Sequence, residues 1–408
     1  MLLIAAPGQG AQSPGFLREW LELPGFSERL GSWSEAAGCD LIRCGTIADA
    51  DEITDTAVAQ PLLVAAALAA ATELVNLAGP PEDLAAAAAA AGADAAAGHS
   101  VGELAAGAIA GAITPQDAVR LVRVRAQAMA KAAAATHTGM TAVLGGDEAT
   151  VMAKIQACGL TAANMNGAGQ IVVGGTTEQL DAFASEPPPG ARLRPLQVAG
   201  AFHTQHMSPA AEALRAAAAT VTARTPVLAL LSNHDGRVVR SGQDWLARIV
   251  AQVDTPVRWD KCMRAMAALG VTAMIELPPA GTLTGLARRS LPGVRVLALK
   301  SPADLVHAQE LLAAEPAQDA HDAHAPDWRL LVAPLAGTFR ACQRNGLAGA
   351  DIGTGAELGH VEIRGDSQPI SAAFPATIIE WLVEDGDLVT AGQPIVRLQP
   401  HASADTPG

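Results

Sequence analysis

The 408-residue sequence has no C-x-x-C pair, no surplus of basic residues, no basic stretch ahead of its first apolar run and no lysine after Lys300. Each absence excludes something. The five cysteines, Cys39, Cys44, Cys158, Cys262 and Cys342, are odd in number and scattered, which argues against a disulfide framework and against a zinc site. They are expected to be buried thiols. A net charge of -14 lacks the basic footprint of a nucleic-acid binder. It leaves an acidic partner only local basic patches to dock on, and the candidates are Arg192 with Arg194 and Arg288 with Arg289. The opening MLLIAAPGQG lacks the basic region and small-residue cleavage site of a signal peptide, so its apolar run reads as a buried first strand. Gly, Pro, Asp or Glu interrupt the Ala-rich segments before they reach the ~20 strongly apolar residues of a membrane span. A soluble, cytoplasmic protein is expected, with no membrane or nucleic-acid partner. Beyond Lys300, no side-chain amine remains to carry an amide-linked cofactor.

What is present is an apolar half, enough for a large core, spread over a length that predicts two or three domains at ~100 to 200 residues each. Residues 1 to about 310 alternate short β-branched runs with long Ala-rich stretches, the pattern of an α/β domain. Strands are expected at 227–233, 274–279 and 294–300, and helices at 58–77 and 208–219. A short strand is also placed at about 93–97, although alanine is a poor strand former. Between about 130 and 197, Thr141 to Gly145, a helical stretch, QIVVGG (170–175), a second helix and ARLRPLQV (191–198) suggest a small inserted α+β subdomain. Residues 311–326 are polar, Pro-containing and aperiodic, a linker whose His321 and His324 are too isolated to suggest a metal site. From 327 to 400 the chain changes to short strands and many glycines; 401–408 reads as a disordered tail. Here VAPLAGTF (332–339) recurs as SAAFPATI (371–378), and GTGAELGHVEI (353–363) as TAGQPIVRL (390–398). Two similar half-units predict a small all-β fold with quasi-two-fold symmetry.

The strongest chemical signal is Gly98-His99-Ser100-Val101-Gly102, a G-x-S-x-G nucleophile elbow. Glycines on either side permit a tight strand-to-helix turn that projects the serine hydroxyl, and the N–H of Val101 then points toward a developing oxyanion. The hydroxyl needs a base. Among ten histidines, His203 in Ala201-Phe202-His203-Thr204 is the best candidate, between a glycine-containing strand end and a helix start. His206 competes with it, while His99, inside the elbow, is expected to support the turn.

Six motifs in order, GQGAQ (8–12), GHSVGE (98–103), LVRVRAQAM around Arg125, GAFHTQHM (200–207), SNHDG (232–236) and AQVDTPVRW (251–259), closely resemble malonyl-CoA:acyl carrier protein transacylases. The resemblance covers residues 1 to about 305. It implies an α/β-hydrolase-like acyltransferase core with an inserted ferredoxin-like subdomain, acting by a ping-pong route from malonyl-CoA to the phosphopantetheine thiol of acyl carrier protein in fatty acid or polyketide synthesis. By position, Ser100 is implied as the acylated nucleophile, His203 as base then acid, and the N–H groups of Gln9 and Val101 as the oxyanion hole. Arg125 is implied to hold the malonyl carboxylate, which suits the fork of a guanidinium. A backbone carbonyl near Gln252 would orient His203 in place of an acidic side chain, and Asn166 matches an asparagine near the family's active site. Phe202 resembles the malonyl-selecting variant, its ring crowding a methyl on the α-carbon. No cofactor is implied. Three stretches depart from the family pattern: Ala126, NGAGQ (166–170) and PPAG (278–281). They bear on loop geometry.

Residues 327–400 resemble the biotinyl/lipoyl-carrier domain, an all-β barrel-sandwich that bears its cofactor on a lysine at a hairpin tip. In VEIRGDSQPI (361–370) Gly365 or Asp366 stands where that lysine belongs, so neither biotin nor lipoate can be attached. The tail then reads as a docking or self-association module, or as a passive remnant. A competing reading for the whole chain is a serine esterase, which needs an acid between serine and histidine in chain order, Asp147 or Asp181. Another is a scaffold without chemistry.

Overall fold

The computed structural model describes residues 1–77, 83–314, 329–342, 349–363 and 366–401. Most of the expected linker with His321 and His324, the hairpin-tip Gly365, and 402–408 lie outside the described residues. The chain forms two compact units, one spanning most of residues 1–314 and the other built around 329–401.

The strands of the first unit are, in chain order, β1 (Leu2–Ala6), β2 (Ala95–Gly98), β3 (Thr138–Gly145), β4 (Thr161–Gly167), β5 (Gln170–Thr176), β6 (Ala191–Pro195), β7 (Ala229–Leu230), β8 (Ala273–Glu276) and β9 (Arg295–Ala298). Five of them make a parallel sheet in the order β7-β2-β1-β8-β9. Its three inner strands are buried on both faces: Leu2, Ile4 and Ala6 of β1 join one apolar cluster, Leu3 and Ala5 the other. This explains how an alanine run becomes a strand. Ala95 and Ala97 enter one cluster and Ala96 the other, and β2 lies in register with β1 from Leu3–Ala95 to Ala6–Gly98. Packing between two layers outweighs a poor intrinsic propensity.

The expected strand at 227–233 shortens to β7 because it is the sheet's edge and Leu231 already bridges back to Val238. The helix expected at 58–77 runs Thr56–Leu74; Asp55 caps its start by accepting from Ala57 N–H, and Asn76, at φ 52°, follows its end. This helix is long and apolar enough to cross a membrane by composition, contrary to the expectation that no segment would be, yet 83% of its apolar window is buried inside the protein. It is a core helix. The helix expected at 208–219 runs Ser208–Ala218.

Between the helix Pro115–Ala135 and the 3-10 turn Gln205–Met207, the chain runs strand, helix, strand, strand, helix, strand, with sheet order β4-β5-β3-β6. The sequence reading lacked β4. Its TAANMNG carries two asparagines, poor strand formers, and is held by pairing: Asn164 lies opposite Val172 and Met165 opposite Ile171. The cysteines are all free; Cys44 and Cys262 are buried as expected, but Cys39, Cys158 and Cys342 are only half-buried.

The second unit holds β10 (Arg329–Val332), β11 (Gly337–Ala341), β12 (Asp351–Ile352), β13 (Glu357–Ile363), β14 (Asp366–Ser371), β15 (Ala376–Trp381), β16 (Leu388–Val389) and β17 (Pro394–Pro400). They form two four-stranded sheets, β14-β13-β11-β16 and β10-β17-β15-β12. The repeated phrases occupy matching places. β11 sits between β13 and β16 as β15 sits between β17 and β12, so exchanging the half-units maps one sheet onto the other. Phe339, Val361, Ile378 and Ile395 meet in their shared core.

Candidate active site

Ser100 follows β2 and precedes the helix Gly102–Ile109, with φ at 52°. A side chain at Gly98 would lie 2.1 Å from the backbone of Gly102, and one at Gly102 would lie 2.3 Å from the carbonyl oxygen of Ala6. Only glycine permits so close a crossing of the two backbones. Buried Asn233 clasps the turn: its Oδ1 accepts from Ser100 N–H at 2.8 Å, and its Nδ2 donates to the Gly98 carbonyl at 2.7 Å.

His203 is buried and also left-handed, with φ at 59°. Its Nε2 lies 2.7 Å from Ser100 Oγ and its Nδ1 2.7 Å from the carbonyl oxygen of Gln252. Because a carbonyl can only accept, Nδ1 carries the proton and Nε2 is free to accept from the serine hydroxyl. Gln252 ends the helix Gly242–Gln252, where carbonyls lack intrahelical partners, so one is available to the imidazole. Burial, and then the nearby Arg125 cation, push the His203 pKa down to about 3, which keeps the ring neutral.

Arg125 projects from the core face of the helix Pro115–Ala135, on the stripe of Leu121, Val122 and Met129, and is 1% exposed. Its Nη1 donates to Gln60 Oε1 at 2.6 Å; its Nη2 donates to Gln252 Oε1 at 3.1 Å and approaches Ser100 Oγ at 3.3 Å. Burial lowers its pKa to about 10, still a cation at neutral pH. Among the described residues, no carboxylate contacts the guanidinium directly.

A cavity of about 320 Å³ opens on Ser100 and His203, with Arg125 and Gln252 outside its lining. Ser100, His203, Gln9, Val101, Phe202 and Asn166 line it, with Met129, Met140, Val172, Leu283 and Leu286 as apolar walls. The loop bearing Gln9 is pinned by its own glutamines: Gln9 Nε2 donates to the Thr54 carbonyl at 3.2 Å and Gln12 Nε2 to that of Ile53 at 3.1 Å. Asn166 Oδ1 is 2.9 Å from His99 Nε2, and the His99 ring packs edge-on against Trp259. The elbow histidine thus orients a cavity amide. His206 is half-buried outside the cavity lining.

The esterase reading finds no acid here. Asp147 caps its own helix through Thr150, Asp181 is exposed, and a backbone carbonyl occupies the place an acidic residue would take beside Nδ1. The three unusual stretches are accommodated. Ala126 is fully buried; Gly167, Ala168 and Gly169 all take positive φ in the β4–β5 turn; and after the cis Pro278–Pro279 bond the buried Glu276 carboxylate accepts from the N–H groups of Gly281, Leu283 and Thr284. That carboxylate fixes the start of the helix Thr282–Ser290, which brings Leu283 and Leu286 to the cavity.

Sequence reasoning did not single out Gln60, Glu103 or Asn233. Glu103 and Asn233 lie inside the motifs GHSVGE and SNHDG, and Gln60 is a lone amide in an apolar helix. Placement in those patterns was the available signal.

Residues 6–304 match the family described as acyl transferase domain. The chain is 50% identical over 308 residues to a malonyl CoA-acyl carrier protein transacylase of Mycobacterium tuberculosis, covering 75% of this chain and 98% of that protein. It is 31% identical over 312 residues to the Escherichia coli K12 protein of the same description, covering 75% and 97%. A crystal structure of MCAT from Mycobacterium tuberculosis superposes with a TM-score of 0.71 at 49% identity, covering 77% of this chain and all of that one. A malonyl-transacylase in complex with a type II PKS acyl-carrier protein superposes at 0.68 with 26% identity, covering 76% and 99%.

Proposed function

The chain belongs to the malonyl CoA-acyl carrier protein transacylases, and we propose that Ser100 carries the malonyl group between coenzyme A and the carrier's thiol. It is an acyltransferase supplying malonyl-carrier for fatty acid or polyketide synthesis. The observation that carries the assignment of roles is the contact of half-buried Ser100 with buried His203 and Arg125, in which a neutral base and a cationic clamp meet one hydroxyl.

Ser100 Oγ attacks the thioester carbonyl of malonyl-CoA while its proton passes to His203 Nε2. The tetrahedral oxyanion forms beside the N–H groups of Gln9 and Val101, both at the cavity wall. The C–S bond then breaks, and coenzyme A leaves as a thiol with the proton from His203. The carrier's phosphopantetheine thiol attacks the malonyl ester by the same steps, and Ser100 recovers its proton. Water excluded from the cavity cannot divert the ester to malonate.

Arg125 suits the free malonyl carboxylate because its fork offers two donors to two oxygens. An acetyl group would leave that cation buried without an anion, which disfavours it. The Phe202 ring, on the cavity wall, crowds a branched α-carbon. Exposed Arg288 and Arg289, on the helix that supplies Leu283 and Leu286, and exposed Arg192 and Arg194 would meet an acidic carrier.

The parallel sheet with its nucleophile elbow supports an α/β-hydrolase-like core, and the β4-β5-β3-β6 order supports a ferredoxin-like inserted subdomain within an acyltransferase domain of residues 1–310. The exchangeable half-units of 327–400 support a barrel-sandwich of the biotinyl/lipoyl kind that, lacking lysine, serves docking or self-association instead of carrying biotin or lipoate. The family's substrates support a cytoplasmic setting.

Intact-protein mass spectrometry after brief exposure to malonyl-CoA, then holo carrier protein, tests the central step. Wild type is expected to gain one malonyl group and pass it on, and Ser100→Ala to gain none. Release of free malonate without carrier acylation would replace this reading with a hydrolase.

A further inference from the structure

Glu103 is 1% exposed and sits in the first turn of the helix behind Ser100, away from the cavity lining. Its Oε2 accepts from Gln252 Nε2 at 2.5 Å and from Asn233 N–H at 3.2 Å. Both partners act on the reacting groups. Asn233 clasps the elbow, and Gln252 touches His203 through its carbonyl and Arg125 through its side chain.

A primary amide can present either end, and its surroundings decide which. Around Gln252 Nε2 lie three acceptors: the Glu103 carboxylate, the Ser100 carbonyl at 3.1 Å and Asn233 Oδ1 at 3.1 Å. Asn233 Oδ1 already receives Ser100 N–H, and the Glu103 contact is the shortest of the three. Turning the amide over would set its oxygen against the Glu103 carboxylate and its N–H groups against the Arg125 guanidinium. With the amide held, Arg125 is gripped on Nη2 by Gln252 Oε1 and on Nη1 by Gln60 Oε1, which aims Nη2 at the reacting serine.

We propose that Glu103 is a positioning residue: through Gln252 it fixes the Arg125 fork in the orientation that receives a carboxylate, and so sets preference for an anionic acyl group. This rests on the transacylase reading above. It acts at one remove, touching neither substrate nor Ser100 Oγ.

The test is the ratio of kcat/KM for malonyl-CoA to that for acetyl-CoA, measured for wild type, Glu103→Gln and Glu103→Met. Glu103→Gln retains an oxygen acceptor and is expected to keep the ratio within about threefold, whereas Glu103→Met, which removes it, lowers the ratio about tenfold or more. For Glu103→Met the malonyl-CoA KM should rise by a larger factor than kcat falls. A general loss of packing would reduce both donors alike. An unchanged ratio in Glu103→Met, equal loss for the two donors, or a fall in Glu103→Gln as deep as in Glu103→Met overturns the proposal. Should Glu103→Met not fold, Gln252→Met reads the same step: a tenfold fall in the ratio supports it and an unchanged ratio overturns it. Wild type that accepts no malonyl group overturns the transacylase reading itself, whereas normal wild-type acylation with an unmoved ratio in the variants overturns only the role of Glu103.

Discussion

Arg125 and His203 share a buried site, so the charge of one adds to burial in lowering the basicity of the other. Burial and then the Arg125 cation hold His203 down at about 3, so the ring is neutral at every pH above that. A carboxylate docked on Arg125 cancels much of its field, and the imidazolium formed during attack becomes less costly. The expected malonyl kcat/KM profile therefore shows no acid limb from imidazole protonation between pH 7 and 5. Arg125→Ala should lower malonyl kcat/KM by about a hundredfold, as a charge-assisted bidentate contact is lost, and move any acid limb upward toward the ordinary histidine value. A wild-type limb centred near 6.5 would contradict the coupling. Glu103 makes a second test. Burial pushes its carboxyl from 4.5 up to about 7, so its contribution to stability is full below 4.5 and lost as pH rises through 7. The Tm of Glu103→Gln relative to wild type should accordingly climb between pH 5 and 8. Sequence motifs named the groups that bound the cavity because those groups sit in short local patterns. They did not name Gln60, since nothing near it in the chain reveals that Arg125, 65 residues away, takes its amide oxygen.

At the scale of elements, the elbow depends on two backbones crossing without side chains between them. Gly98→Ala would drive a methyl to 2.1 Å from Gly102, and its backbone contact cannot swing away as a flexible side chain would. Overpacking beside a reacting group both strains the fold and displaces the nucleophile. Loss of soluble, folded protein, or a fall in acylation rate of about a hundredfold with a lowered Tm, is therefore expected. Gly10→Ala is the control for expression, since a Cβ there meets nothing within 4 Å, although its φ of 110° still strains the backbone. The turn glycines of the elbow were legible because they flank a serine at fixed spacing. Strand β4 was not, because its asparagines speak for loop and only its pairing with β5 makes it a strand. The length of β7 was equally hidden: VLALLSN is apolar throughout most of its length, and where its ladder stops depends on Val238 returning to bridge Leu231.

For the whole molecule, the proposed catalytic groups and the family match both lie ahead of Arg329, where the strands of the all-β region begin. Residues 6–304 contain Gln9, Gln60, Ser100, Arg125, His203 and Gln252, and a relative with 50% identity is covered over 98% of its length by three quarters of this chain. A chain ending at residue 314 is therefore expected to malonylate holo carrier within about twofold of the full-length rate, because no group of the relay is removed. The second unit has its own apolar core around Phe339, Val361 and Ile378, which gives a reason for a separate unfolding transition. Differential scanning calorimetry of the full chain and of the 1–314 form should differ by one transition. If shortening instead cuts transfer to carrier while leaving acylation by malonyl-CoA intact, the second unit acts in the carrier half-reaction, which is where a docking module without an attachment lysine would be felt. Its symmetry was readable because a repeat is visible in one sequence. What it does was not, since a repeat of apolar and turn residues records a fold and none of the chemistry of a site.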